Sequence, residues 1–125
     1  NLYYTYYHFH NLHSQLLKPY DILPQHYNIL KIVKGKYPEP VTPGHILDVM
    51  LDKKRDLTRL VDKLVSMKFL ERCQSKENKR FVHISLTPKG YELTLKMESE
   101  MKTLLLHHLN DEESELLSTL LDKMR

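Results

Sequence analysis

The sequence predicts a mainly α-helical chain that carries one short β-hairpin. Leucine-rich stretches with apolar residues at every third or fourth position outnumber stretches rich in β-branched residues. Only residues 69–74 and 80–86 resemble strands, and the second alternates Val82, Ile84 and Leu86 with polar residues. At 125 residues the chain is expected to form a single domain.

Two helices are predicted at the start of the chain. Apolar and aromatic residues repeat at helical spacing over residues 2–18, and Pro19 is expected to end this first helix. Pro24 suits the first position of a second helix that runs toward Gly35. Leu23 has no side-chain acceptor, so it is a poor cap for that helix.

The next helices have clearer starts. Thr42 followed by Pro43 combines a capping hydroxyl with a proline at the first helical position, which predicts a third helix through about Leu51. A fourth helix is predicted over residues 54–67. Its apolar face is formed by Leu57, Leu60, Val61, Leu64 and Val65.

Two further helices are predicted after the hairpin, whose tip is the polar stretch 75–79. Thr87 and Pro88 repeat the cap-and-proline signal and predict a fifth helix to about Leu109. Asn110 with Glu113 has the spacing of a capping box and predicts a last, leucine-rich helix.

Positive charge is concentrated in residues 53–80. This stretch has ten Lys or Arg against four Asp or Glu, whereas the rest of the chain has nine basic and twelve acidic residues. Charge confined to one segment is typical of a surface that binds a polyanion, and duplex DNA is the first partner to consider.

Three helices followed by a hairpin form a winged helix-turn-helix, in which the third of these helices enters the major groove of DNA. The fourth helix of this chain occupies that position. Its candidate DNA-binding residues are Lys53, Lys54, Arg55, Thr58, Arg59 and Lys63. The hairpin tip, or wing, adds Lys76, Lys79 and Arg80, which are suited to a minor groove or to phosphates. Asp62 would repel phosphate, so we expect it to pair with Arg59 or another nearby basic group.

Four segments together resemble the multiple antibiotic resistance regulator (MarR/SlyA) family of bacterial transcription factors. They are TRLVDKL at 58–64, LER at 70–72, NKR at 78–80 and ISLTPKG at 84–90. The resemblance implies a winged-helix region at 21–89 and dimerisation helices at 1–20 and 90–125. It also implies a homodimeric repressor or activator, with a repressor favoured, that binds a pseudo-palindromic operator.

The resemblance further implies roles for single residues. Arg80 would be the wing arginine that enters the minor groove. The family usually has an aspartate where this chain has Asn78, so a charge pairing that holds the wing arginine would be reduced to a hydrogen bond. It also commonly has glycine after the recognition helix, where this chain has Lys68. A left-handed backbone there would cost a non-glycine residue on the order of 1 kcal/mol.

Members of the family are often released from DNA by a small lipophilic or phenolic ligand, or by oxidation. The resemblance places such a ligand between the dimerisation helices and the winged helix. The candidate ligand-binding residues are Tyr6, Phe9, His10, His13, His26 and Tyr27. Packing in the core or in a dimer interface is the alternative explanation for the aromatic residues of the first helix.

Other functions have less support in the sequence. No nucleophile motif, glycine-rich phosphate loop or metal-ligand spacing is present, so neither an enzyme nor a cofactor or metal site is predicted. The single cysteine, Cys73, excludes an internal disulfide, and no apolar run reaches the roughly 18 residues of a membrane helix. We expect a cytoplasmic protein. A winged-helix module that binds an acidic protein partner remains the alternative function.

Overall fold

The computed structural model describes the backbone of all 125 residues and every side chain except those of residues 105 and 106. It confirms a mainly helical fold with a two-stranded hairpin. The elements are α1 (Leu2–Leu17), a 3₁₀ turn (Lys18–Tyr20), α2 (Pro24–Lys34), α3 (Pro43–Val49), α4 (Leu57–Ser66), β1 (Leu70–Gln74), β2 (Val82–Leu86), α5 (Pro88–Leu106) and α6 (Asp111–Lys123). Within the described residues, none of these helices combines the length and apolarity needed to cross a membrane.

The core lies where α2, α4, the hairpin and the first half of α5 meet. Apolar side chains from each of these elements are almost fully removed from solvent, and α1 and α3 contribute one each. The most deeply buried are Leu17, Ile29, Leu30, Val33, Ile46, Leu64, Leu70, Ile84 and Met97. Because these residues come from five different helices and both strands, their burial fixes the position of α4 against the rest of the chain.

The hairpin is antiparallel, with Leu70 opposite Leu86 and Gln74 opposite Val82. A third chain segment, which the sequence did not reveal, joins it at one point. The backbone N–H of Val41 donates to the carbonyl oxygen of Ile84, and the N–H of Ile84 donates back, each at 2.8 Å. The loop before α3 is therefore fastened to the wing sheet.

The predicted helix starts after Thr42, Thr87 and Asn110 are confirmed. The Thr42 hydroxyl accepts from the N–H of His45 at 3.1 Å, and Thr87 accepts from Gly90 at 3.0 Å. Asn110 and Glu113 exchange both bonds of a capping box at 2.9 Å each. These caps satisfy N–H groups that have no partner inside a helix.

The start of α4 was predicted wrongly. It begins at Leu57 rather than residue 54, because the carboxylate of Asp56 accepts from the N–H of Arg59 at 3.3 Å and caps the helix there. Lys53, Lys54 and Arg55 thus lie in a turn before the helix. Other ends also shifted: α3 ends at Val49, α5 ends at Leu106 and the two strands begin one or two residues later than predicted.

Lys68 has the left-handed backbone that its position after α4 suggested, with φ at 63°. Its N–H donates to the carbonyl of Val65, and the N–H of Phe69 donates to that of Leu64, both at 3.0 Å. This pair of bonds is the Schellman motif, which ends a helix with one left-handed residue. The chain makes this turn with a lysine although glycine would adopt it without strain.

A tight junction joins the end of α4 to the start of α5. The Thr87 hydroxyl donates to the carbonyl of Lys68 at 2.7 Å, and Lys89 Nζ donates to that of Met67 at 3.0 Å. Gly90 leaves no room for a side chain, since a Cβ there would lie 2.1 Å from the carbonyl oxygen of Phe69. The absence of a side chain at this position is what permits α5 to approach the end of α4 so closely.

The helices at the two chain ends are much less buried. Tyr3 and Tyr4 of α1 are each 81% exposed. In α6, whose side chains are all described, no residue is buried. The exposed apolar residues of α6 are Leu116, Leu117, Leu120 and Leu121, and the exposed Met124 follows as its C-cap. These helices present apolar surface that the chain itself does not cover.

Candidate nucleic-acid interface and ligand cavity

The helix α4 separates a buried apolar side from an exposed polar one. Val61 and Leu64 are buried, whereas Thr58 and Arg59 are exposed. Because the apolar side packs into the core, the hydroxyl and the guanidinium are held on the outer surface of the helix. This is the arrangement that base-edge contacts from a recognition helix require.

The three basic residues before α4 lie in a turn organised by Asp52. The Asp52 carboxylate accepts from the N–H of Lys54 at 3.1 Å and from Arg55 Nε at 3.3 Å. Lys53, Lys54 and Arg55 are all exposed. Their location at the N-terminal end of the helix suits contacts to phosphates rather than to bases.

Two residues of the α4 polar side are paired within the chain. Asp62 forms a 2.6 Å ion pair with Arg72 of β1, which confirms a structural pairing for this acid but with a different partner from Arg59. Lys63 is only partly exposed, and its Nζ lies 3.6 Å from the carboxylate of Asp21. The first pair connects α4 to the hairpin, and the second connects it to the turn before α2.

The wing is a compact turn. The N–H of Ser75 donates to the carbonyl of Phe81 at 2.8 Å, which closes the loop. The Asn78 side chain accepts from the backbone N–H of Arg80 at 3.0 Å. The hydrogen bond expected of Asn78 is thus present, but it holds the Arg80 backbone rather than the guanidinium. The cationic side chains of Lys76, Lys79 and Arg80 are all exposed.

A cavity of about 470 Å³ lies between α1, α2, α5 and the segment after α3. Five of the six candidate ligand-binding residues line it: Tyr6, Phe9, His10, His13 and Tyr27. The sequence did not identify the other lining residues, which are Pro24, Gln25, Asn28, Lys31, Met50, Leu51, Asp52 and Met101. They come from elements whose proximity to α1 depends on the fold.

His26 is not among the lining residues. It is buried, and its Nδ1 accepts from the N–H of Leu23 at 2.9 Å. The histidine therefore supplies the acceptor that Leu23 lacks at the start of α2, in the way that a glutamate closes a capping box. Burial, followed by the positive charge of Lys63, lowers the pKa of His26 even though Asp21 opposes the shift.

Two aromatic residues of the cavity wall have shifted pKa values. Burial, followed by the neighbouring His10, lowers the pKa of His13, whose ring packs edge-on against Tyr27 at 4.9 Å. Burial, together with the carboxylate of Glu98, raises the pKa of Tyr27 to about 12. At neutral pH both side chains are consequently uncharged.

The remaining histidines and Cys73 form no larger cluster. His107 and His108 contact each other with ring centroids 4.9 Å apart, and Cys73 is an exposed thiol on β1. In the part of the chain that the structure describes, no three His, Cys, Asp or Glu side chains are grouped so as to hold a metal ion.

Neither a protein-family model nor a curated protein matches the chain. Several solved structures do match it. The reduced form of MarR from E. coli gives a TM-score of 0.76 at 25% identity, over 98% of this chain and 92% of that one. An E. coli MarR mutant complexed with operator DNA gives a TM-score of 0.77 at 25% identity, with 98% and 89% covered.

A more distant match has the same architecture. A MepR mutant from S. aureus, bound to an oligodeoxyribonucleotide, gives a TM-score of 0.69 at 22% identity, over 98% of this chain and 91% of that one. The shared elements include the hairpin and the helices at both chain ends. Similarity over nearly the whole length, together with the four sequence segments and the capped helix order, shows that the chain has the winged-helix fold of the MarR-type regulators.

Proposed function

We propose that the protein is a sequence-specific, double-stranded DNA-binding transcriptional regulator, acting as a homodimeric repressor on a pseudo-palindromic operator. The observation that carries this proposal is the pair of exposed basic surfaces on α4 and the wing, tied together by the Asp62–Arg72 ion pair. The operator DNA bound to the similar E. coli MarR mutant supports the same partner.

Each basic group receives a role from its location. Thr58 and Arg59 on the exposed side of α4 would contact base edges in the major groove. The turn formed by residues 53–55 would contact phosphates. Lys76, Lys79 and Arg80 of the wing would reach the adjacent minor groove or its backbone. Lys63 is the candidate least suited to contact DNA, because its ammonium group already pairs with the carboxylate of Asp21.

Homodimerisation is supported by the exposed apolar residues of α1 and α6. A leucine side chain that passes from water into an interface contributes about 2 kcal/mol. The exposed leucines of α6 therefore favour association with a second copy, which would place two recognition helices about 34 Å apart in successive major grooves. In this proposal residues 1–20 and 90–125 form the dimerisation region.

Control by a small molecule is supported by the cavity. It lies between α1 and α5 of the proposed dimerisation region and α2 of the winged helix. An occupant of a cavity between two parts of a molecule can favour one relative arrangement of those parts over another. Its volume lies within the range of small-molecule sites, and most of its walls are aromatic or apolar.

The decisive experiment is selection of bound fragments from a random pool of duplex DNA. Enrichment of a two-fold symmetric sequence, with half-sites about one helical turn apart, is expected. A salt-sensitive complex with an acidic protein, together with no enriched sequence, would instead support the protein-interaction module.

Arg80→Ala tests the wing on the selected sequence. Loss of one phosphate-region contact should weaken binding about tenfold and lower the slope of log K against log salt by about one. Lys36→Ala, which removes an exposed cation from the loop after α2, is the matched control and should change neither quantity. If the two variants had the same DNA affinity and the same salt slope, the wing would not be part of the DNA interface.

A further inference from the structure

One carboxylate on α5 is shared by two lysines on α2. Glu98 lies 3.1 Å from Lys31 Nζ and 2.9 Å from Lys34 Nζ. Burial alone would raise the pKa of Glu98, but the hydrogen bonds from Lys34 and Lys31 outweigh it and lower the pKa. The cluster therefore contains a carboxylate and two ammonium groups, and it ties the winged-helix region to a helix of the proposed dimerisation region.

The two lysines are not equivalent. Lys34 contacts both carboxylate oxygens, its side chain is 22% exposed, and its ammonium group also lies over the ring of Tyr91. Lys31 contacts one oxygen and its side chain is 46% exposed. Since Lys34 alone can neutralise Glu98, Lys31 is the partner that can leave without stranding a partly buried charge.

Lys31 is also part of the cavity wall. Among the described side chains that line the cavity, it is the one lysine or arginine, and Met101, one helical turn beyond Glu98, lies in the same wall. Most of the other lining residues are aromatic or apolar. The one carboxylate among the described lining residues, Asp52, accepts hydrogen bonds from Lys54 and Arg55. An ammonium group beside an apolar cavity favours a ligand that combines an anionic group with an apolar body.

We propose that Lys31 recognises an anionic ligand in this cavity by exchanging its bond to Glu98 for a bond to the ligand. Binding then weakens the connection between α2 and α5 while Lys34 preserves part of it. This inference rests on the proposed function, because it specifies how the regulatory cavity of that proposal acts. The coupling between the cavity and α5 then depends on Lys31, because its ammonium group cannot bind the ligand and Glu98 at full strength at the same time.

The test uses benzoate as the anionic probe and benzamide as its neutral counterpart of the same shape. Binding of each is measured by calorimetry on the full chain. Lys31→Met should weaken benzoate binding at least tenfold, as expected for loss of a charge-assisted bond, and leave benzamide binding within about twofold. Glu98→Gln should strengthen benzoate binding several-fold, because Lys31 is then no longer shared.

Lys34→Met is the matched control. It removes a lysine from the same carboxylate, but one that does not line the cavity, so benzoate should bind within about twofold of the unmodified protein. The proposal is overturned if benzoate does not bind, if Lys31→Met affects both probes equally, or if Lys34→Met reproduces its effect. Affinity for the selected DNA without benzoate is measured in parallel, which separates failure of this inference from failure of DNA binding.

Discussion

The winged-helix region and the last helix of the chain both carry apolar residues at helical spacing, but these residues have opposite environments. In the first, side chains such as Ile29, Leu30 and Leu64 are inaccessible to water. In the second, no residue of α6 is buried. The difference shows that the central region closes its own core, whereas the chain end has apolar surface without an internal partner. The stability of the winged-helix region should depend on packing within one chain. Burial of the apolar residues of α6 should depend on association with a second chain.

Leu120→Glu is the change with the largest expected effect on this contrast. A two-fold interface would contain the substituted position twice, so the loss should be about 4 kcal/mol of association free energy, or about a thousandfold in the dissociation constant. Sedimentation at micromolar concentration should show a dimer for the unmodified chain and a monomer for the variant. Ser118→Glu, on another side of α6, should remain dimeric. If the unmodified chain were a monomer, the apolar surface of α6 would not be buried by association, which would contradict the contrast drawn above.

Gly90→Ala tests the closed packing of the central region. Its Cβ would lie 2.1 Å from the carbonyl oxygen of Phe69, so α5 must move away from the end of α4. We expect a loss of about 3 kcal/mol in the free energy of unfolding, measured with denaturant. Gly44→Ala is the control, since its Cβ would find the nearest atom 3.9 Å away. Equal stability of the two variants would show that the junction is not tightly packed.

His26 makes the stability of the same region depend on pH. Its pKa is lowered in the folded protein from 6.5, so the unfolded chain binds the proton first as the pH falls. The contribution of neutral His26 should be complete above about pH 6.5 and decrease from there down through the lower folded pKa. Protonation also removes the Nδ1 acceptor of the cap, which is worth about 1 kcal/mol.

His26→Gln is the comparison for this pH dependence. A glutamine oxygen can accept the same bond from Leu23 but does not titrate, so the stability of the variant should change less between pH 7 and pH 5. Parallel stability curves for the two proteins would show that His26 makes no contribution. Titration of other groups, including His13, is common to both proteins and cancels in the difference.

The smallest effect is expected for Lys68→Gly. Relief of the left-handed conformation should gain about 1 to 2 kcal/mol, while the greater freedom of glycine in the unfolded chain should cost about 0.4 to 1 kcal/mol. We therefore expect a net stabilisation of about 0.5 kcal/mol, read as a higher melting temperature. A lower melting temperature would mean that the Lys68 side chain stabilises the folded protein by more than its left-handed backbone destabilises it.

Local signals in the sequence predicted the features that depend on neighbouring residues. The caps at Thr42, Thr87 and Asn110 were predicted because each bond spans three residues. The predicted start of α4 lay among the charged residues before it, whereas the Asp56 cap determines where the helix begins. A periodic pattern reports which face is apolar and says less about where a helix ends.

Features that join distant parts of the chain could be predicted only in part. The aromatic stripe of α1 identified one wall of the cavity, because its residues share a helix face. The cluster of Glu98 with Lys31 and Lys34 was not predicted, since more than sixty positions separate its partners along the chain and charged residues on helices are usually solvated. The bridge between Val41 and Ile84 was missed because its two partners are also far apart along the chain and no local pattern marks Val41 as part of a sheet.

The junction around Thr87 makes α5 a lever, because it fixes one end of a long helix. The helix has 19 residues and is fastened at its first turn to the end of α4. It is about 28 Å long, so a tilt of about 10° at the junction displaces its far end by about 5 Å. Successive bases on one DNA strand are about 3.4 Å apart. An angular change that barely alters the hydrogen bonds at Thr87 is thereby converted into a displacement larger than one base step.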